Sequence, residues 1–453
     1  MRAFPPLSRR QLLKSAGTGF GYMALAGMLG HRSSALAEEA RPLTPKAPHF
    51  VPKAKRIIFL FMSGSMSQAD TWEYKPQLQK DDGKEGPGGG TLTASKFKFR
   101  KYGQSGTWVS ELYPNLARHV DKFCFLRGLR TDTPAHPQAV IQLHTGTALA
   151  ALTRPSMGAW MLYGLGTENQ DLPGYITVNP PPDVGGATNY GCAFLPAHFQ
   201  GTRISDTGYV PDLKAQIPLS LQRKQLDLIQ DMNRDLAATP GATGQIDGVI
   251  ESFELAFKMQ TKVPELLDIS KEPKNVLESY GVRPGPEGSF ARQCLMARRL
   301  SEAGVRFVEI CHPGWDHHSN LHQGLIKGCA ATDQPTAALL ADLERRGLLD
   351  ETLVLFGSEF GRLPTAQGPD GRDHNITAYP MWLAGAGVKK GFCFGETDEY
   401  GLKTVRGGMH VTDLHATLLA LLGLNHEKLT YRYAGRDFRL TDVAGNVATE
   451  IFS

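Results

Sequence analysis

One pattern constrains this chain more than any other. Short apolar runs rich in strand formers end in turns that carry ionisable residues, and stretches of helical period separate them. Arg56–Met62 (RIIFLFM) ends at Ser63-Gly64-Ser65. The run at 305–310 (VRFVEI) follows a helical stretch over 290–303 and ends at Cys311-His312-Pro313-Gly314. The run at 352–356 (TLVLF) follows a helical stretch over about 334–348 and ends at Gly357-Ser358-Glu359. A fourth run, 380–383, leads into Ala384-Gly385-Ala386-Gly387, and a helix predicted over 411–422 closes the series. Runs that are apolar throughout, without alternation, belong to strands buried on both faces. Their alternation with helices predicts an α/β fold with a mostly parallel central sheet flanked by helices. Such sheets gather ligands at the carboxyl ends of their strands.

Two stretches interrupt the series. Residues 81–106 are rich in Gly and Lys and include an alternating run, 96–102, which reads as a flexible loop or hairpin. Residues 219–280 are polar and helical in period, with breaks at Pro240-Gly241 and Pro264, and read as a helical insertion. At the front, Ser8-Arg9-Arg10-Gln11-Leu12-Leu13-Lys14, an apolar stretch over 16–29 and Ala35-Leu36-Ala37 stand in the order of a twin-arginine export signal. The expectation is a signal peptide over 1–37 and one domain over 38–453. The twin-arginine machinery would carry it, already folded, to a periplasmic or extracellular location. No other stretch is apolar for long enough to span a bilayer, so no permanent membrane anchor is expected.

The formal net charge is only +4, and no basic tract marks a nucleic-acid partner. Cys124, Cys192, Cys294, Cys311, Cys329 and Cys393 show no CxxC spacing, which predicts mostly buried small hydrophobes rather than a thiolate metal site. Gly385-Ala386-Gly387-Val388-Lys389-Lys390 begins like a dinucleotide fingerprint but lacks its third glycine.

The chemistry collects in the turns. After 305–310 come Asp316, His317 and His318; after 352–356 come Glu359 and Arg362; Asp373 and His374 follow. His410 stands before the last helix, with Thr412 as its expected N-cap and His415 in its first turn. Carboxylates and imidazoles at one sheet edge are the ligand set of a divalent ion. Asp316, His318, Glu359 and one of His374, His410 or His415 are the expected ligands, with Asp70 as a possible extra one. Imidazole favours Zn²⁺, Mn²⁺ or Fe²⁺ over Ca²⁺. An unpaired carboxylate after an apolar strand is costly, so Glu359 needs the metal or Arg362. Arg362 and Asp373 are candidates for binding substrate, Asp373 alternatively for ordering its loop.

Several motifs carry a resemblance. Tyr113-Pro114-Asn115-Leu116, then 123–127, Thr131–Pro137 and Leu143-His144-Thr145-Gly146 follow the order seen in sulfatases and alkaline phosphatases. Ser358-Glu359-Phe360-Gly361 resembles that superfamily's metal loop, and Asp413-Leu414-His415-Ala416-Thr417-Leu418-Leu419 its final helix. More narrowly, Pro155-Ser156-Met157-Gly158-Ala159-Trp160, Trp315-Asp316, Gly371-Arg372-Asp373-His374-Asn375 and Gly395-Glu396-Thr397-Asp398-Glu399 resemble an exported, sulfatase-like family of unknown function. The resemblance implies an alkaline phosphatase/sulfatase-like fold and a metal-dependent hydrolase of sulfate or phosphate esters, small or polysaccharide.

The catalytic pattern departs from that superfamily. The first strand ends in Ser63-Gly64-Ser65 where Asp is usual, Phe360 replaces a metal-loop ligand, and position 320 is Asn where a His would follow Asp316. The count back from Thr145 that reaches the sulfatase nucleophile lands on His136, which no formylglycine chemistry can modify. Pro137 suits a first helical position, so His136 is expected at the N-cap, where helix amides favour an anion. His136 is therefore a candidate to bind sulfate or phosphate, ligate metal, or act as nucleophile or acid/base. Thr131 and Thr133 are the alternative hydroxyl nucleophiles. Two other functions compete: a non-catalytic binding protein for anionic glycans on the same fold, and a structural protein of the cell envelope.

Overall fold

Arg56–Met62 is the central strand of the sheet, hydrogen-bonded in parallel to Phe307–His312 on one side and Thr352–Gly357 on the other. Met62 stands level with His312 and Phe61 with Gly357, so all three strands end on one rim. The computed structural model describes residues 43–148, 153–210, 213, 217–237, 245–283, 285 and 288–453; the signal peptide expected over 1–37 lies outside them.

Among the described residues the sheet has nine strands. From one edge the order is Phe392–Phe394, Phe123–Arg130, Tyr379–Gly385, Thr352–Gly357, Arg56–Met62, Phe307–His312, Tyr175–Val178 and Thr202–Ile204, and Met409–His410 also pairs with Phe123–Arg130. Among these nine, only Tyr379–Gly385 runs antiparallel to its neighbours. The fold is thus α/β with a mostly parallel central sheet. The strand predicted at 305–310 starts two residues later, because the Val305 amide is spent closing the preceding helix on Leu300 O at 3.0 Å.

The central strand shows why both faces needed apolar residues. Ile58, Leu60 and Met62 join one core, with Leu295 and Leu339 from the helices Phe290–Glu302 and Leu321–Arg345. Ile57, Phe59 and Phe61 join the other, with Val140, Met161 and Leu418 from the helices His136–Thr145, Met157–Leu165 and Val411–Leu421. Each such side chain contributes roughly 1.5–3 kcal/mol by leaving water. One strand therefore anchors two helical layers.

Within 81–106 and just beyond it, Phe99–Tyr102 pairs antiparallel with Thr107–Ser110. Leu219–Ala237, Gln245–Leu267 and Lys274–Tyr280 are helices. Five of the cysteines are buried free thiols; Cys393 is exposed. Among the described residues no helix is long and apolar enough to cross a membrane.

Candidate metal centre

Three turns meet where the central strands end. Gly64, at φ +106°, passes so close to the Trp315–Asp316 backbone that a Cβ would lie 2.7 Å from the Asp316 amide nitrogen. Glycine is required there by both conformation and space. Trp315 is fully buried and donates from Nε1 to His312 Nδ1 at 3.1 Å, anchoring the turn that presents Asp316. Glu359 follows the neighbouring strand; its Oε1 accepts from the Gly64 amide at 3.0 Å.

His136, Asp316, His318 and His374 come together, one ligand atom of each lying within 4.8 Å of the others. Asp316 Oδ1 is the focus. It lies 3.2 Å from His136 Nε2, 2.9 Å from His318 Nε2 and 3.4 Å from His374 Nε2. Arg362 Nη2 donates to the same oxygen at 2.6 Å. Each imidazole is held from behind. His136 Nδ1 meets Glu359 Oε1 at 2.6 Å, His374 Nδ1 meets Pro134 O at 2.6 Å, and His318 Nδ1 meets Gln367 Oε1. A carboxylate or carbonyl oxygen at Nδ1 requires N–H there, which turns each Nε2 toward the common centre.

Electrostatics follow from this crowding. Burial alone would depress His136, but the Asp316 and Glu359 carboxylates overcome it and raise the imidazole to about 9. Asp316 is pushed up by partial burial, yet His136, His374 and Arg362 hold it well below the usual carboxylate range. The His136 Nε2 contact with Asp316 is close enough for charge attraction but off-line for a hydrogen bond, and Glu359 Oε2 is buried without a partner. Phe360 packs beneath the imidazoles, its ring 4.7 Å from that of His136 and 4.6 Å from that of His374. The opposite side is open: the Asp316 side chain is 44% exposed and that of His318 38%.

Other candidates lie elsewhere or do other work. Glu359 stands behind His136. Arg362 is fully buried, with its donors on Asp316, Ser65 O, Gly64 O and Arg372 O, and has no face for a substrate. Asp373 Oδ1 accepts from the adjacent His374 amide at 2.8 Å within the strand Gly371–Asn375. Asp70 is turned to Arg372 at 2.8 Å. His415 is buried against the helix of His136, its Nε2 donating to Leu143 O at 2.7 Å.

The helix starts also shift. His136 is the first helical residue rather than the N-cap, which is Ala135. His410, not Thr412, caps the last helix, because Met409–His410 still pairs with Leu129–Arg130 and the chain leaves the sheet only there. The His410 ring sits on Thr412 and Asp132. Thr131 donates to Gln142 Oε1 at 2.7 Å, and Thr133 Oγ1 accepts from the Ala135 amide at 3.2 Å.

Gln367 and the Pro134 carbonyl escaped sequence reasoning. Gln367 lies in the hairpin Gly361–Gln367/Gly371–Asn375, whose register sets His374 opposite Arg362.

No curated protein matches the sequence. Among solved structures, the lipoteichoic acid synthase LtaP from Listeria monocytogenes aligns with 88% of this chain and 78% of its own at 9% identity and a TM-score of 0.41. The alkaline phosphatase from the Antarctic bacterium TAB5 aligns with 83% of this chain and 99% of its own at 13% identity and a TM-score of 0.37. A protein in the alkaline phosphatase superfamily from Vibrio parahaemolyticus aligns with 94% of this chain and 78% of its own at 10% identity and a TM-score of 0.38. Residues 54–452 match the family described as "Protein of unknown function (DUF1501)", and the chain belongs to that family.

Proposed function

We propose that this chain is an exported, metal-dependent hydrolase of sulfate or phosphate esters, with His136, Asp316, His318 and His374 as the ligands of one divalent ion. The observation that carries the reading is the convergence of three Nε2 atoms on one carboxylate oxygen while every Nδ1 is tied to an acceptor. Bare nitrogen lone pairs would repel that oxygen. Protonating all three would put three imidazolium groups and a guanidinium against the Asp316 and Glu359 carboxylates. One divalent cation satisfies the same geometry with neutral imidazoles. Three histidines and a carboxylate suit Zn²⁺, Mn²⁺ or Fe²⁺.

When bound, such an ion supplies concentrated positive charge to the ester oxygens and makes water more acidic. The remaining work falls to the chain. Glu359, Gln367 and the Pro134 carbonyl fix the three imidazoles, Arg362 holds Asp316 in place, and Phe360 keeps water from beneath them. The helix begins at His136, so its first amides lack intrahelical partners and favour an anion at that end. The ester enters from the open side of Asp316 and His318. Thr131 spends its hydroxyl proton on Gln142, whereas the Thr133 hydroxyl only accepts from the Ala135 amide, so the attacking oxygen is that of Thr133 or of water.

The test is hydrolysis of 4-nitrophenyl sulfate and 4-nitrophenyl phosphate after loading with each of the three metals. Turnover is expected with at least one ester, abolished by chelator and reduced at least about 100-fold by His374→Ala. Ser63-Gly64-Ser65 in place of Asp at the end of the first strand, and His136 at the nucleophile position, favour the second reading, a non-catalytic binder of anionic glycans. Metal-loaded protein that hydrolyses neither ester yet binds sulfated polysaccharide establishes that reading instead.

A further inference from the structure

A second feature opens on the same side of the sheet. Residues Arg130, Thr377, Lys403, Thr404, Val405 and Arg406 line an open groove of about 370 Å³. Arg130, Lys403 and Arg406 are all exposed. Among the described residues no carboxylate forms an ion pair with the side chain of Arg130 or Lys403, although Asp398 Oδ2 accepts from the Lys403 backbone amide at 3.1 Å; Arg406 shares Glu396 at 2.9 Å, an exposed pair of little energetic weight. Three cations thus face one groove in a chain whose net charge is only +4.

The segment that follows Arg130 leads from the groove to the metal centre, tied down at three points. Leu129 faces Tyr379 in antiparallel register, the Thr131 amide donates to Ile376 O at 3.0 Å, and Pro134 O takes His374 Nδ1. From Arg130 to His136 the chain spans at most about 22 Å. Two acidic groups flank that path. Asp132 is held by His410 Nε2 at 3.1 Å and by the Gln142 amide, and Asp373 by the His374 amide. No aromatic side chain lines the groove, so it offers no stacking platform for bases; it offers cations and threonine hydroxyls.

We propose that this groove binds a sulfated polysaccharide, its sulfates on Arg130, Lys403 and Arg406 and its chain running along residues 130–136 toward the metal centre. The direction of the chain rests on the proposed function; the binding itself does not. The assay measures affinity of the full chain for dextran sulfate in the presence of EDTA, with neutral dextran and oligo-dT as comparison polymers. Dextran sulfate is expected to bind and to weaken with added salt, and neutral dextran not to bind. The variant Arg130→Ala/Lys403→Ala/Arg406→Ala should lose about tenfold or more in affinity, since each cation facing a polyanion adds to binding. The control Lys224→Ala/Lys262→Ala/Lys274→Ala, exposed lysines outside the groove, should bind like the wild type. Equal affinity of the groove variant and the wild type, or tighter binding of oligo-dT than of dextran sulfate, would overturn the proposal. Groove-dependent binding without ester hydrolysis would leave it standing while removing the hydrolase reading.

Discussion

Removing Asp70 breaks a buried ion pair with Arg372 and should cost stability without touching the metal centre. The Asp70 side chain is 4% exposed and that of Arg372 1%; Arg372 Nε donates to Oδ2 at 2.8 Å and Ser67 Oγ to the same oxygen at 2.6 Å. Asp70→Ala strands the guanidinium in the core. Its remaining acceptors are the carbonyls of Thr93 and Leu363. Breaking such a pair from one side costs roughly 3–5 kcal/mol. In a chain of this size that corresponds to a fall in Tm of about 3–6 °C. The double variant Asp70→Val/Arg372→Met should recover most of the loss, since apolar replacement of both partners is often neutral.

The sign of the pH dependence follows. Burial raises the Asp70 carboxyl, but the charge and hydrogen bonds of Arg372 and the hydroxyls of Ser67 and Ser95 outweigh it and hold it below its ordinary value. A depressed folded pKa gives stability that is present above about pH 4 and lost as pH falls through the folded value. The gap between wild type and Asp70→Ala, measured by urea unfolding, should therefore narrow below that pH. Metal content should not change. Reduced metal content in Asp70→Ala, or a stability loss under about 1 kcal/mol at pH 7, would refute the reasoning.

Other outcomes follow from the same geometry. Glu359→Gln weakens the anchor of His136 and should lower metal affinity about 10–100-fold in a competition titration, with the fold kept. Gly64→Ala forces a Cβ into the Asp316 backbone at φ +106° and should cost about 1–3 kcal/mol in urea unfolding. His415 is pushed down to about 4 by burial, so it remains neutral in the fold while its unfolded form gains a proton below about pH 6.5. Stability is lost as pH falls from about 6.5 to 4, and His415→Gln, which removes the titration, should flatten that part of the profile while leaving metal content intact.

The central sheet was legible because its strands are apolar on both faces, so Arg56–Met62 could be placed without knowing its neighbours. The convergence of turns followed, because parallel strands ending together put Asp316 and Glu359 on one rim. Side-chain direction was not legible. His415 and His136 both sit near helix starts, yet one points into the core and the other toward Asp316. Glu359 and Asp70 both read as acidic ligands, but the imidazole and the guanidinium that engage them come from segments 223 and 302 residues away. Gln367 lies in a polar hairpin whose register no apolar pattern announces.

The central claim is that His136, Asp316, His318 and His374 form one metal site. Equilibrium dialysis of the full chain against Zn²⁺, read by elemental analysis, tests it most directly. About one tightly held zinc per chain is expected in the wild type, and its loss in both Asp316→Asn and His374→Ala with the fold retained. Zinc content unchanged in those variants, or a folded wild-type chain that retains none, would contradict it.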